Sequence, residues 1–233
     1  MSLIELNDVR VRRGRFELQL PSWRVEPGTV VGVVGPNGAG KTTLLELLPG
    51  FTKPDAGSVR VFGHDPHVEV EAVRSQLGFM SDDMPVFRMS VGALLKTLSG
   101  YYRSWDAGLV EELVERFQID TAAKTWKLSK GQGTRIRLVC AMAFRPKVLV
   151  LDEPATGLDV GGRRDLLRTV LEVVQDTERA VVVSSHLLTD LERVADTLLV
   201  LRDGQAVADG ATDALVGEEA TLEEAALKWQ VGA

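Results

Sequence analysis

The stretch GPNGAGKTT, Gly35 to Thr43, constrains this chain more than any other. It fits the spacing G-x-x-x-x-G-K-[ST], with Gly35, Gly40, Lys41 and Thr42 in the fixed places. Its flanks carry as much information as its letters. The β-branched run TVVGVV (Thr29 to Val34) reads as a buried strand, and TTLLELL (Thr42 to Leu48) reads as the start of a helix. Strand, glycine turn and helix N-terminus together predict an anion cradle. Glycine lets the backbone close on an oxyanion so that several N–H groups converge, and the positive end of the helix dipole favours phosphate there. Gly35, Pro36, Asn37, Gly38, Ala39, Gly40, Lys41, Thr42 and Thr43 thus form the predicted nucleotide-binding loop. Lys41 would reach the β- and γ-phosphates, and the Thr42 hydroxyl would hold Mg²⁺. The ligand this predicts is a nucleoside triphosphate.

A chain of 233 residues is long enough for a full core, so one large α/β domain or a domain with a subdomain is expected. The net charge of −6 argues against generic nucleic-acid binding, which needs a basic surface. A single cysteine, Cys140, excludes an internal disulfide, and its apolar surroundings RLVCAMAF mark it as core filler. The N-terminus MSLIELNDV lacks the basic-then-apolar pattern of a signal peptide, and no apolar run approaches the ~18 residues a span needs. A cytoplasmic protein follows, with any membrane role supplied through a partner.

Along the chain, residues 3 to 34 read as strands. Valines alternate with arginines in VRVR (Val9 to Arg12), and Arg10, Arg12, Arg13 and Arg15 read as a solvated strand edge and hairpin tip. PDAGS is a turn, SVRVFG a strand, Val70 to Ser75 a short helix and LGFM (Leu77 to Met80) another strand. GHDPH, with His64 and His67, reads as a surface turn. From Ser90 to Phe144 the texture changes: Val91-Leu94-Leu95-Leu98 and Leu109-Leu113-Phe117 keep helical spacing. Residues 90–145 are therefore expected to be a helical subdomain inserted in an α/β core of 1–89 and 146–233. Strand texture returns at VLVLDEP, AVVVSS and TLLVL, separated by helices at about 161–175 and 187–194. That alternation predicts a mostly parallel sheet with crossover helices beside an N-terminal antiparallel β region. RDGQAVADG reads as a hairpin, followed by a terminal helical segment that Trp229 pins.

The second half of the site follows from strand ends. The apolar strand Val148 to Leu151 delivers Asp152 and Glu153 at its carboxyl end, where open α/β sheets bind ligands. Asp152 fits the acid that supports Mg²⁺, and Glu153 is placed to polarise an attacking water. In LSKGQ (Leu128, Ser129, Lys130, Gly131, Gln132), Ser129 can cap a helix. The stretch is then either a plain N-cap or a second phosphate site on a helix N-terminus. His186 ends the strand VVVSS and could donate a hydrogen bond to a terminal phosphate.

GPNGAGKTT, LSKGQ, VLVLDEP, TGLD (Thr156 to Asp159) and SSH (Ser184 to His186) together resemble the ATP-binding subunits of ABC transporters, in order and spacing across nearly the whole chain. YYRSWD (Tyr101 to Asp106) resembles bacterial exporters whose membrane half is a separate chain. The resemblance implies ATP and Mg²⁺ as ligands, and an integral-membrane permease as partner. It also implies a homodimer or paired ATPase subunits sandwiching two ATP molecules. The phosphate loop of one subunit would face Ser129 and Gly131 of the other, with Asp159 at the boundary. Two positions depart from the family pattern. The aromatic that stacks on adenine aligns with Arg12 or Arg13, leaving Phe16 or an arginine plane for that task. The glutamine expected after LGFM is replaced by Asp82, which becomes a candidate metal ligand, with Asp83 beside it. Alternative functions are a soluble ATP-dependent clamp on nucleic acid or ribosomes, and a regulatory module that binds nucleotide without turnover.

Overall fold

Two hydrophobic patterns make two kinds of strand. The computed structural model describes residues 1–81, 84, 87–174, 177–185, 191, 192, 194–217 and 224. In β1 (Ile4–Arg13) and β2 (Phe16–Val25) buried residues alternate with wetter ones: Ile4, Leu6, Val9 and Val11 on the first, Leu18, Leu20, Trp23 and Val25 on the second. Such alternation marks strands with one face on the core, and it suits antiparallel pairing. The two pair antiparallel with each other, and β4 (Ala56–Val61) flanks β1. By contrast, β3 (Val30–Val34), β6 (Val148–Leu151) and β7 (Ala180–Ser185) are buried at every position. Continuous apolar runs of this kind belong to parallel strands covered on both faces.

β3, β7 and β6 lie side by side in parallel, with β5 (Leu77–Met80) beyond β6 and β8 (Thr197–Arg202) beyond β3. β9 (Gln205–Ala211) returns antiparallel from β8 and meets β2 through the single pair Gln19–Gln205. The two regions thereby join into one sheet of order β4-β1-β2-β9-β8-β3-β7-β6-β5 among the described residues. The expected hairpin at RDGQAVADG is the β8–β9 connection.

Alternate residues of the buried strands supply two cores. Val31, Val33, Val148, Val150 and Val182 pack with Leu44, Leu45 and Leu47 of α1 (Lys41–Leu47) and with the inner residues of β1 and β2. Val30, Leu149, Leu151, Val181 and Val183 face the opposite way. They pack with Ile136 and Val139 of α5 (Lys130–Met142) and with Leu166 and Val170 of α6 (Val160–Val174). Covering both faces is what lets the central strands dispense with polar residues until their carboxyl ends.

The short α2 (Val70–Arg74) precedes β5. Between β5 and β6 the chain is helical, as the spacing of its leucines predicts. α3 (Val91–Ser99) buries Val91, Leu94 and Leu95 under an N-cap in which Ser90 accepts from the Ala93 amide. α4 (Ala107–Arg116) buries Val110 and Leu113, with Asp106 accepting from the Leu109 amide at 2.9 Å. A 3-10 turn at Thr125–Lys127 leads into α5, which returns to lie on β5. After β9 comes α7 (Thr212–Val216). The expected helix near 187–194 falls largely outside the described residues, as does the tail from Glu218 onward apart from Glu224. Trp229 belongs to that undescribed part.

Candidate functional site

Parallel pairing brings three carboxyl ends together. In the ladder Val34 lies beside Ser185, and Leu151 beside Val183, so the residues that leave β3, β6 and β7 emerge at one edge. The phosphate loop leaves β3 there. Gly35 accepts no side chain: a Cβ would sit 2.2 Å from the Leu201 carbonyl oxygen. Gly40, at φ +108°, is the N-cap of α1 and has no side-chain cap, and a Cβ on it would meet the Phe16 ring at 2.9 Å. Both positions need glycine for backbone reasons, as the spacing predicts.

Lys41 is buried, with Nζ donating to the Gly35 carbonyl at 2.7 Å and lying 3.2 Å from Glu153 Oε1. The Thr42 hydroxyl donates to Asp152 Oδ2 at 2.7 Å. Asp152 is 6% exposed, and its amide donates to the Met80 carbonyl, tying the acid to β5 as well. Glu153 has φ +49°, a left-handed conformation that costs a non-glycine residue free energy and is held only where neighbours enforce it. Over the loop lies a cleft walled by Arg13, Phe16, Pro36, Asn37, Gly38, Gly40, Lys41, Thr42, Thr43 and Glu153. The two loops named by the sequence therefore do meet. Ala39, buried under the loop, donates its amide back to Pro36.

The hairpin tip divides in a way the sequence reading did not separate. Arg12 points outward and pairs with Glu17 at 2.9 Å. Arg13 continues the inward face of Val9 and Val11, reaches Glu46 of α1 at 2.5 Å, also bonds Thr52, and forms one wall of the cleft. It is cross-strand partner to Phe16, so both alternatives for the base contact stand on one pair.

Leu128 to Gln132 stand elsewhere. None of the five lines the cleft over the phosphate loop. Ser129 caps α5 in a reciprocal box: the Gln132 amide donates to Ser129 Oγ at 3.3 Å, and the Ser129 amide donates to Gln132 Oε1 at 2.9 Å. Ser129, Lys130 and Gln132 are exposed. The Lys130 stem runs close to Gly157, and Leu158 lies against Gly131, so LSKGQ and TGLD form one surface. Asp159 on that surface is exposed, and its Oδ1 accepts from the Gly162 amide at 2.7 Å, closing the start of α6. Asp82, Asp83 and His186 lie outside the described residues.

One residue of the site was not singled out from the sequence. Ser184, fully buried on β7, donates to Asp152 Oδ1 at 2.6 Å and accepts from the Glu153 amide at 2.9 Å. The available signal was a polar residue at the second-last place of an otherwise apolar strand, two residues before His186 in the sequence.

A glycine cradle after a central parallel strand, with an acid pair at the end of its second neighbour, defines a nucleotide-binding phosphate-loop domain. Residues 18–156 match the family described as ABC transporter. The chain is 37% identical over 201 residues to the daunorubicin resistance ATP-binding protein DrrA3 of Streptomyces coeruleorubidus, covering 84% of this chain and 63% of that one. It is 34% identical over 207 residues to the Nod factor export ATP-binding protein I of Burkholderia lata, covering 85% of this chain and 67% of that one. A solved structure described as the ATP binding subunit of an ABC transporter superposes with a TM-score of 0.88 at 24% identity, over 98% of this chain and 100% of the other. That likeness concerns the fold. This chain belongs to the ABC transporter family and carries its nucleotide-binding ATPase fold. It spans about two thirds of the length of these curated relatives.

Proposed function

We propose that this chain hydrolyses ATP to drive an exporter whose membrane-spanning half is a separate permease. The observation that carries this reading is the meeting of Lys41, Thr42 and Glu153 in one cleft, with Asp152 buried behind it and bonded to Thr42, while Ser129, Lys130 and Gln132 are exposed. Backbone amides of the loop and Lys41 bind and orient the polyphosphate, with Phe16 and Arg13 at the base end. Glu153 accepts a hydrogen bond from the attacking water and orients it toward the terminal phosphorus.

The donor set fits Mg²⁺. The single Thr42 hydroxyl proton is committed to Asp152, which leaves the oxygen lone pairs for a hard cation, and Asp152 keeps that orientation in place. Thr42 and Asp152 would hold the ion, with Asp82 as a further candidate. When bound, the ion neutralises phosphate charge.

The exposed LSKGQ surface is the part of the site that needs a second subunit. In the proposed sandwich, a homodimer or a pair of ATPase chains, Ser129 and Gly131 complete the partner's cleft, and Asp159 lies at the boundary. Residues 90–145 act as the helical subdomain that passes this movement on. Among the described residues no helix is long and apolar enough to cross a membrane. The proposed permease contact is an apolar groove of about 210 Å³ between β5 and the inserted helices, lined by Phe51, Phe79, Phe87, Leu94, Leu98 and Phe144. Phe51 is 50% and Phe87 68% exposed, and solvent-facing aromatics of this kind suit a partner surface. The chain would then sit on the cytoplasmic face of the membrane, with no nucleic acid as partner.

Two measurements test the reading. Purified chain should release phosphate from ATP in the presence of Mg²⁺. It should also copurify with an integral-membrane protein from its native host, and Phe87→Glu should weaken that association without lowering phosphate release by the isolated chain. Binding without turnover would leave a regulatory module. Capture on ribosomes or nucleic acid would replace the transport reading.

A further inference from the structure

Three protons in the acid corner have a determined direction. The Glu153 amide can only donate, so Ser184 Oγ must receive it on a lone pair, at 2.9 Å. The one proton left on Ser184 therefore goes to Asp152 Oδ1, at 2.6 Å. Thr42 supplies its own proton to Oδ2 of the same carboxylate, at 2.7 Å. Glu153 amide, Ser184, Asp152 and Thr42 thus form one directed chain of hydrogen bonds that runs from β7 through β6 to α1. Ser184 is the only member of it that lies outside both the phosphate loop and VLVLDEP.

We infer that Ser184 is a positioning residue for ATP hydrolysis, acting on both acids at once. Its donated bond holds the Asp152 carboxylate in the rotamer that accepts from Thr42, which in turn aims the Thr42 lone pairs into the cleft. Its accepted bond holds the peptide of Glu153, whose φ of +49° would otherwise relax. Ser184 is fully buried, so water cannot replace either bond. Removing the hydroxyl leaves Asp152 with one protein donor fewer and Glu153 with a freer backbone. Polyphosphate affinity, carried by the loop amides and Lys41, is untouched. Ser184 therefore acts on turnover and on the metal requirement, and not on metal-free nucleotide binding.

The inference rests on the ATPase reading, and the experiment separates the two. Absence of phosphate release by the parent chain ends that reading; a fully active Ser184→Ala ends only this one. The variants are Ser184→Ala and Ser184→Thr, and thermal stability is recorded for each. The readouts are kcat and KM for MgATP, and equilibrium binding of ATP in EDTA against graded Mg²⁺. Ser184→Ala should lower kcat by roughly ten- to a hundredfold, the scale of a lost hydrogen bond to a charged group, with KM within roughly threefold of the parent. ATP binding in EDTA should match the parent, while the Mg²⁺ needed to strengthen it should rise severalfold. Ser184→Thr, which restores the hydroxyl on a strand position that suits β-branching, should recover most of kcat. A parental kcat and Mg²⁺ dependence in Ser184→Ala overturns the inference. So does a stable Ser184→Thr that stays as defective as the alanine, or a loss of metal-free ATP binding in step with thermal stability. If the threonine variant unfolds, the split between EDTA and Mg²⁺ binding in Ser184→Ala decides alone.

Discussion

Two helices of this chain begin at a signature, and their beginnings are built in opposite ways. α1 starts at Gly40, which offers no side chain to its first-turn amides, and its start is walled in by Phe16, Leu18 and the buried Lys41. α5 starts at Ser129, exposed, with two of its end groups already satisfied by the Ser129–Gln132 box. A helix end that withholds its own cap and sits in a cleft is prepared for an anion. One that caps itself on an open surface is stable without a ligand, and it offers the hydroxyl and amides to something arriving from outside. Sequence motif alone allowed both to be phosphate sites; burial separates them into an enclosed helix end and an open one, which the proposed sandwich reads as a complete site and half of one.

That contrast can be broken at several points. The largest effect belongs to Lys41→Ala, which should weaken ATP binding or lower turnover by orders of magnitude while the chain stays folded. Nucleotide titration with a circular-dichroism control measures it, and parental hydrolysis by a folded variant would remove α1 as the finished site. Next comes Glu153→Gln. It should keep ATP affinity within severalfold, lower hydrolysis by roughly a hundredfold or more, and let an ATP-dependent dimer persist in light scattering. Undiminished hydrolysis would take the water-orienting role away from Glu153.

Ser129→Ala should act more gently on the isolated chain. It should leave ATP affinity there within about twofold and reduce helix stability by about 1 kcal/mol, the usual scale of a lost N-cap. It should lower turnover only under conditions where two chains associate, so activity plotted against protein concentration is the measurement. If Ser129→Ala weakens ATP binding by a dilute chain as strongly as Lys41→Ala does, the two helix ends are equivalent and the contrast fails.

The smallest effect concerns the far end of α5. Burial pushes the Cys140 thiol up to about 12, so it stays protonated in the fold at pH values where an unfolded thiol ionises. Since the unfolded state loses that proton first, stability should fall modestly as pH rises above about 9 and toward 12, and thiol labelling at pH 8 should be slow. Fast labelling of the native chain would mean that α5 is loosely held along its length, not only open at its start. Cys140→Ser, compared in the same pH series, should flatten the fall.

The sequence by itself determined a great deal here, because the deciding features are local. Glycines at Gly35 and Gly40, the β-branched run before them and the leucines after them specify strand, turn and helix from short-range sterics and spacing. VLVL ending in Asp152 and Glu153 likewise announces a buried strand with acids at its carboxyl end. The leucine spacing from Val91 to Phe117 announces helices. Tertiary structure decided what depends on residues far apart in the chain. Alternation along β1 made Val9 and Val11 core residues. Only the approach of α1 shows that Arg13, next on the same face and still half exposed, pairs with Glu46 and walls the cleft. Ser184 looked like an ordinary strand end until parallel pairing set β7 beside β6 and brought its hydroxyl to Asp152, 32 positions earlier in the chain. The same holds for LSKGQ, whose letters allow either a plain N-cap or a phosphate site. Whether a helix end faces its own cleft or open surface is decided by packing over the whole fold, and no spacing within five residues records that.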